Sequence, residues 1–207
     1  MDRDFSQLSS NEQANILNSA YSVFTDTPYD KASTNKIVEL AGISKGKLFY
    51  YFKSKALLFD YLVEQAIAYV KKAYTYKASF LEKDFLERYI TLSRIKQHAF
   101  EKEPYLFNFI SYVYIHEKER LNPSQLQWIE TSQLMVKLAL KEGVDVGLFR
   151  DDLDPDLVMQ LLQYSIDGYQ NELTEKFKTI NLKEVDLDPY YQEFDEFITS
   201  LRKVFYK

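Results

Sequence analysis

Apolar residues recur at helical spacing along most of the chain. Leu17, Ala20, Tyr21 and Phe24 form the first stripe, with the three- and four-residue steps of one helix face. Ser9 and Ser10 stand before it. Each has Glu or Gln three residues later, so either can open a capping box. The stretch from Thr25 to Asp30, around Pro28, reads as a loop. A second helix is predicted from Ser33 as N-cap, turning Ile37, Val38 and Ala41 inward and ending at Gly42. Ile43-Ser44 then makes a short turn, with Ser44 as the next N-cap. A third helix covers 45–52, with Leu48 and Phe52 four apart on one face.

A fourth helix is expected to open near Ser54 and to run to about Tyr76, a length that suits a connector. Further helices are predicted over 83–101, 104–118, 123–143, 155–176 and 189–206. Pro104, Pro123, Pro155 and Pro189 fall where a first helical turn tolerates proline. There is no alternating Val/Ile/Thr-rich segment, no internal repeat and no low-complexity tract. The chain has only 5 Gly and 5 Pro to mark turns, which favours long helices over many short strands. The expected fold is all-α.

Composition narrows the class. The 207 residues suit one ordinary domain, or a small domain joined to a larger one. The absence of Cys removes disulfides, thiolate metal sites and cysteine nucleophiles. The polar, mixed-charge start is unlike a signal peptide, and no apolar run reaches transmembrane length. A cytoplasmic location is expected.

Charge changes the picture. The net charge of −5 speaks against nucleic acid, but the distribution does not. Residues 1–55 hold seven Lys/Arg against six Asp/Glu, and Lys45, Lys47, Lys53 and Lys55 fall in an eleven-residue stretch without an acid. Residues 151–207 hold six basic and thirteen acidic side chains. A basic cluster on a short module, joined to an acidic body, fits a protein that touches DNA at one end.

Residues 33–55 have the dimensions of a helix-turn-helix, whose second helix lies in the major groove. Such a helix needs an apolar docking side and an outer side of donors. Leu48 and Phe52 supply the first; Lys45, Lys47, Tyr50 and Tyr51 supply the second. Gly46 keeps a close approach of backbone to DNA open. On periodicity alone, a three-helix packing with a solvated lysine face is an equal reading.

The segments Asn15-Ile16-Leu17 to Phe24, Ile37-Val38 to Ala41-Gly42-Ile43-Ser44, Lys45-Gly46-Lys47-Leu48-Phe49-Tyr50-Tyr51-Phe52 and Ser54-Lys55 resemble the N-terminal signature of the Tet repressor (TetR/AcrR) family over about 50 residues. Gly147-Leu148-Phe149-Arg150-Asp151-Asp152-Leu153-Asp154-Pro155 is similar to a segment that precedes that family's penultimate helix. The resemblance implies a helix-turn-helix DNA-binding domain over 1–54. A helical ligand-binding and dimerisation domain would follow over 55–207, with the connector helix between reader and body.

It also implies roles by position. Ser33 matches the N-cap of the second helix, and Thr34 and Asn35 match positions that reach base or backbone. Ser44, Lys45, Gly46 and Lys47 match the start of the recognition helix. Tyr50 and Tyr51 match aromatic positions that touch phosphates and bases, and Lys55 matches a lysine that opens the connector helix, suited to a phosphate. Lys55→Ala is therefore expected to weaken binding to all sequences and to flatten its salt dependence. Two residues depart from the pattern. Phe49 stands where Tyr is usual, and Lys47 where a small residue, often Thr, is usual. Both bear on the sequence read rather than on the mode of binding.

For the body, the resemblance implies a homodimer through the last two helices, a palindromic double-stranded operator and a small, largely apolar or aromatic effector in a helical cavity. No cofactor, metal or membrane is implied. Leu157, Leu161, Tyr164 and Gly168 form one candidate dimer stripe, and Phe194, Phe197, Ile198, Leu201 and Phe205 another. The chain carries 17 Tyr, 15 Phe and 1 Trp, enough for aromatic cavity walls, although ordinary core is the alternative for any one ring. Tyr112, His116, Trp128 and Tyr164 are the candidate ligand residues. The expected mechanism is a population shift: ligand favours a conformer whose recognition helices are wrongly spaced for the operator. Repression released by ligand is expected, although the residues alone leave activation open.

Three other classes compete. An enzyme is disfavoured: His98 and His116 lie far apart, and no metal-spaced cluster, phosphate loop or nucleophile elbow is present. A helical ligand-binding or scaffold protein without DNA function would leave the basic cluster idle. A membrane-surface helical protein conflicts with the acidic body, which anionic lipid would repel.

Overall fold

The computed structural model describes residues 5–75, 82–180 and 185–207. Among these are nine α-helices: α1 Ser10–Asp26, α2 Thr34–Ala41, α3 Lys45–Phe52, α4 Lys55–Thr75, α5 Phe85–Lys102, α6 Pro104–His116, α7 Pro123–Lys141, α8 Pro155–Phe177 and α9 Asp188–Phe205. Short 3-10 turns occur at Phe5–Gln7, Tyr29–Lys31, Lys118–Arg120 and Val146–Leu148. No strand occurs among the described residues; the one isolated bridge pairs Phe149 with Tyr206. The fold is all-α, as the hydrophobic spacing predicts. The expected end of the fourth helix, at Tyr76, lies outside the described residues.

The chain forms two compact units. The first comprises residues 1–72 and 103–129, the second 73–102 and 130–207.

In the first unit, α1 packs on α2 and α6, and α2 packs on α3. Ile16, Ala20 and Phe24 of α1, Ile37 of α2, Leu48 and Phe52 of α3, Leu58 and Leu62 of α4, and Phe109 and Val113 of α6 share one core. The three helices of the reader thus bury their apolar faces against α4 and α6. Ser9, not Ser10, caps α1. Its Oγ accepts the Glu12 backbone N–H at 3.3 Å and donates to Glu12 Oε2 at 3.2 Å, so the expected box is met in its N-cap half and its Glu side chain turns to the hydroxyl instead of the Ser9 N–H. Helix α1 runs through the predicted loop as far as Asp26, helped by Thr25, whose hydroxyl donates to the Tyr21 carbonyl at 2.8 Å.

Phe5 is a further core residue. It is buried edge-on against Tyr51 and Tyr61, with centroid distances of 5.6 and 5.7 Å, and against Phe52 at 5.0 Å. The segment preceding α1 is therefore packed onto α3 and α4. The polar composition around Phe5 concealed this.

In the second unit, Phe85 and Leu86 of α5, Leu140 of α7, Leu162 and Ile166 of α8, and Ile198 of α9 share a separate core with Phe149. Asp84 caps α5: its Oδ1 accepts the backbone N–H groups of Leu86 at 2.9 Å and Glu87 at 3.3 Å. The same carboxylate accepts from the Tyr206 hydroxyl and the Arg202 guanidinium of the chain end. Burial alone would raise this carboxyl. The hydrogen bonds from Arg202, Tyr206 and the Glu87 N–H outweigh burial and hold it below the usual carboxylate range.

Arg88, buried on α5, has no carboxylate partner among the described residues. Its Nη1 donates to the carbonyls of Ala139, Leu140 and Glu142 at 3.1, 3.2 and 2.7 Å. These are the unpaired carbonyls at the end of α7, where a cation also meets the favourable end of the helix dipole.

Candidate functional site

The turn between α2 and α3 has its shape from Gly42, whose φ of 65° is left-handed. The Gly42 N–H bonds the Glu39 carbonyl at 3.3 Å and the Ile43 N–H bonds the Val38 carbonyl at 3.1 Å. A side chain at Gly42 would meet no atom within 4 Å but would strain the backbone. Ser44 then caps α3, its Oγ accepting the Lys47 N–H at 3.1 Å. Ser33 occupies the N-cap of α2 but makes no side-chain capping bond; the Lys36 and Ile37 N–H groups reach its carbonyl instead. Helix α3 ends at Lys53, a non-glycine residue with φ 59°, and Ser54 Oγ accepts the Leu57 N–H to open α4.

Leu48 and Phe52 are buried, so α3 docks on the side predicted for it. The remaining residues spread over the outer side of the unit. Asn35, Ser44, Lys45, Gly46 and Tyr50 are exposed, while Thr34, Lys47, Tyr51 and Lys55 are half-buried. Tyr50 and Tyr51 meet edge-on at 5.0 Å. The Lys45 ammonium lies 6.0 Å from the centre of the Phe49 ring, so the ring that lacks a hydroxyl supports a cation. At Gly46 a Cβ would meet nothing closer than Ser44 Oγ at 3.9 Å. The protein's own packing therefore does not require glycine there, although glycine weakens a helix.

Two of the lysines are engaged within the protein. Lys47 Nζ pairs with Glu12 Oε1 of α1 at 2.7 Å. This hydrogen bond lowers the Glu12 carboxyl from its ordinary value and raises the Lys47 ammonium. Lys55 Nζ donates to the carbonyls of Tyr29 at 2.8 Å, Ala32 at 3.2 Å and Asp30 at 3.4 Å, and lies 4.5 Å from the Tyr29 ring centre. It thereby fastens the 3-10 turn that leads into α2. Neither pairing is visible from spacing, because both join residues more than twenty positions apart.

Residues 16–62 match the family model of the bacterial regulatory proteins of the tetR family. The match begins in α1 and ends in α4, so it spans the whole helix-turn-helix. The match is to the DNA-binding part of that family and covers the N-terminal helices of this chain. It is 23% identical to the HTH-type transcriptional repressor AcnR of Corynebacterium glutamicum over 180 residues, covering 84% of this chain and 88% of that protein. A TetR-family transcriptional regulator from Chloroflexus aurantiacus shares the fold with a TM-score of 0.66 and 22% identity, over 98% of this chain and 97% of the other. The transcriptional regulator FadR of Bacillus subtilis, solved with stearoyl-CoA, matches with a TM-score of 0.52 and 17% identity, over 90% and 96% of the two chains. The helix-turn-helix match and the repressor relatives make the chain a DNA-binding transcriptional regulator rather than an enzyme.

The candidate ligand residues do not converge as a set. Tyr112 and His116 lie tilted against each other on neighbouring turns of α6, with ring centres 4.8 Å apart. Trp128, at the start of α7, carries the Lys71 ammonium 4.9 Å from its ring. Tyr164 belongs to the other unit, where it is 63% exposed and accepts a hydrogen bond from Gln160. A cleft of about 350 Å³ in the first unit is lined by Tyr29, Ala56, Phe59, Asp60, Glu119 and Arg120, none of them a candidate.

Of the two candidate dimer stripes, that of α8 is open. Leu157, Leu161 and Tyr164 are exposed, and a Cβ at Gly168 would meet nothing within 4 Å. The α9 stripe faces the other way. Phe194 and Ile198 are buried in their own core, and Phe197, Leu201 and Phe205 pack against it. This corrects the expectation for Phe194 and Ile198, and leaves Phe197, Leu201 and Phe205 partly exposed: the apolar face of a strongly amphipathic helix covers the nearest core first. The outer side of α9 carries Thr199, Ser200, Lys203 and Val204.

No helix among the described residues is long and apolar enough to cross a membrane, and no cluster of potential metal ligands occurs among them.

Proposed function

We propose that this regulator is a cytoplasmic homodimeric repressor, released from a palindromic operator by a small, largely apolar or aromatic ligand. One observation carries the reading: a capped, glycine-turned α2–α3 pair buries Leu48 and Phe52 and turns Lys45, Gly46 and Tyr50 outward. The DNA-contacting set is Ser33, Thr34, Asn35, Ser44, Lys45, Gly46, Lys47, Tyr50, Tyr51 and Lys55. Residues 1–54 act as the DNA-binding domain, and 55–207 as the ligand-binding and dimerisation domain. The packing of α6 on α1 supports communication between the two, because a shift of α6 acts directly on a helix of the reader.

The repressor name of the Corynebacterium relative supports repression, and the stearoyl-CoA complex of the Bacillus protein supports an apolar effector. Tyr112, His116, Trp128 and Tyr164 are the proposed ligand residues. Dimerisation uses the exposed α8 stripe and the outer side of α9. This arrangement matches two-fold proteins that read two half-sites.

The test is an anisotropy titration of the DNA upstream of its own gene, with native mass spectrometry of freshly purified protein. Saturable, competitor-resistant binding by a dimer is expected, together with a retained small molecule whose removal tightens binding. A monomer that binds no upstream fragment would overturn the reading in favour of a helical ligand-binding protein without DNA function.

A further inference from the structure

The recognition helix carries an unusual charge arrangement. Lys45 and Lys47 stand in the first turn of α3, which holds no acid of its own. The acid comes from another helix: Glu12 Oε1 meets Lys47 Nζ at 2.7 Å. Glu12 is not a loose surface side chain. Its other oxygen accepts from Ser9 Oγ at 3.2 Å, and its backbone N–H bonds the same hydroxyl at 3.3 Å. The N-cap hydroxyl of α1 therefore holds this carboxylate beside the recognition helix. It also sits in the first turn of α1, where the helix dipole favours a negative charge.

We propose that Glu12 is a positioning residue that restrains sequence-independent DNA binding by competing with phosphate for Lys47. This rests on the reading of α3 as the DNA-facing helix. Sequence-independent affinity comes from cations that neutralise phosphates and release counterions. A lysine already paired with a carboxylate releases less, and phosphate must displace the carboxylate to reach it. The displaced Glu12 then stays beside the phosphates as a like charge, held there by Ser9. The pair is half-exposed, with 35% and 45% side-chain exposure, so it is weak enough to break. Lys47 is thus a conditional contact, whereas Lys45, exposed on the same turn, meets no such competitor among the described residues. A repulsive element of this kind lowers affinity for all DNA and leaves base contacts to select the operator.

The experiment uses the full chain and a fluorescein-labelled duplex of arbitrary sequence, titrated by anisotropy between about 50 and 200 mM salt. Four proteins are compared: unmodified, Glu12→Gln, Lys47→Gln and the double variant. Gln also serves at the third position of a capping box, and thermal melts by circular dichroism verify that each variant is folded. Glu12→Gln is expected to bind roughly three- to tenfold tighter at the low-salt end, with a log–log salt slope steeper by about 0.9. Lys47→Gln should weaken binding in the unmodified protein and by a larger factor in the Glu12→Gln background, abolishing its gain.

An unchanged slope in Glu12→Gln overturns the restraint, as does an equal loss from Lys47→Gln in both backgrounds. A chain that shows no salt-dependent binding to any duplex overturns the DNA-binding reading itself, and the restraint with it.

Discussion

The guanidinium of Arg120 lies 4.4 Å from the centre of the Tyr29 ring. The same guanidinium donates to Glu117 Oε2 and Asp30 Oδ2, each at 2.6 Å, and Glu117 Oε1 accepts the Tyr29 backbone N–H at 2.9 Å. The turn after α6 thus grips the turn before α2 through a ring, a backbone amide and two carboxylates. Removing Arg120 leaves the buried Glu117 carboxylate short of a partner. Arg120→Met should destabilise the chain by roughly 1–3 kcal/mol in urea unfolding. An unchanged midpoint would show the grip to be dispensable.

Lys55 shares the Tyr29 ring from α4, and its ammonium is engaged with three carbonyls. Lys55→Met should weaken binding to every duplex, because the turn that presents α2 loosens. The salt slope should also flatten by about 0.9, since the proposed interface shares this ammonium between the carbonyls and a phosphate. An unchanged slope would confine Lys55 to the fold and remove it from the DNA-contacting set.

Acid should weaken the second unit through Asp84. Its folded carboxyl is held below the unfolded value, so its stabilisation is present above the unfolded pKa and is lost as pH falls through the folded one. Unfolding free energy should therefore drop below about pH 4. Asp84→Asn should cost on the order of 1–3 kcal/mol at pH 7 and flatten that acid limb. An acid limb of unaltered steepness in the variant would place the sensitivity on other carboxylates.

Gly168 separates folding from assembly. It lies within α8, where a Cβ meets nothing inside the subunit. Gly168→Leu should leave the fold as stable or about 1 kcal/mol more stable, because glycine is a poor helix former. The added side chain should hinder the close approach of a second copy and raise the dimer dissociation constant at least tenfold. Sedimentation equilibrium measures this, and an unchanged constant would move the interface away from α8.

Tyr21 keeps a hydroxyl buried without a hydrogen-bond partner among the described residues, tilted against Phe109 at 5.1 Å. Burial drives its ionisation well above the ordinary tyrosine range. Tyr21→Phe removes an unsatisfied polar atom and keeps the ring, so stability should rise by about 1 kcal/mol. A loss of similar size would mean that the hydroxyl has a partner in solution.

The sequence by itself determined the elements and the reader. Apolar residues three and four apart, prolines at first turns, Gly42 at a left-handed position and the serines at helix starts are local signals. Hydrogen bonding and sterics within a few residues decide most of such a signal, although Ser33 makes no side-chain cap and α1 runs past Thr25. The docking side of α3 was legible for the same reason: Leu48 and Phe52 could only turn inward. What each charge does was left to the tertiary structure. Lys47 and Lys55 look alike in the sequence, but one meets Glu12 across 35 residues and the other meets carbonyls 23 to 26 residues away. The same holds for the apolar stripes of α8 and α9, which share a period but not a fate. Periodicity shows that a face is apolar; only packing decides whether its own core or a second surface covers it.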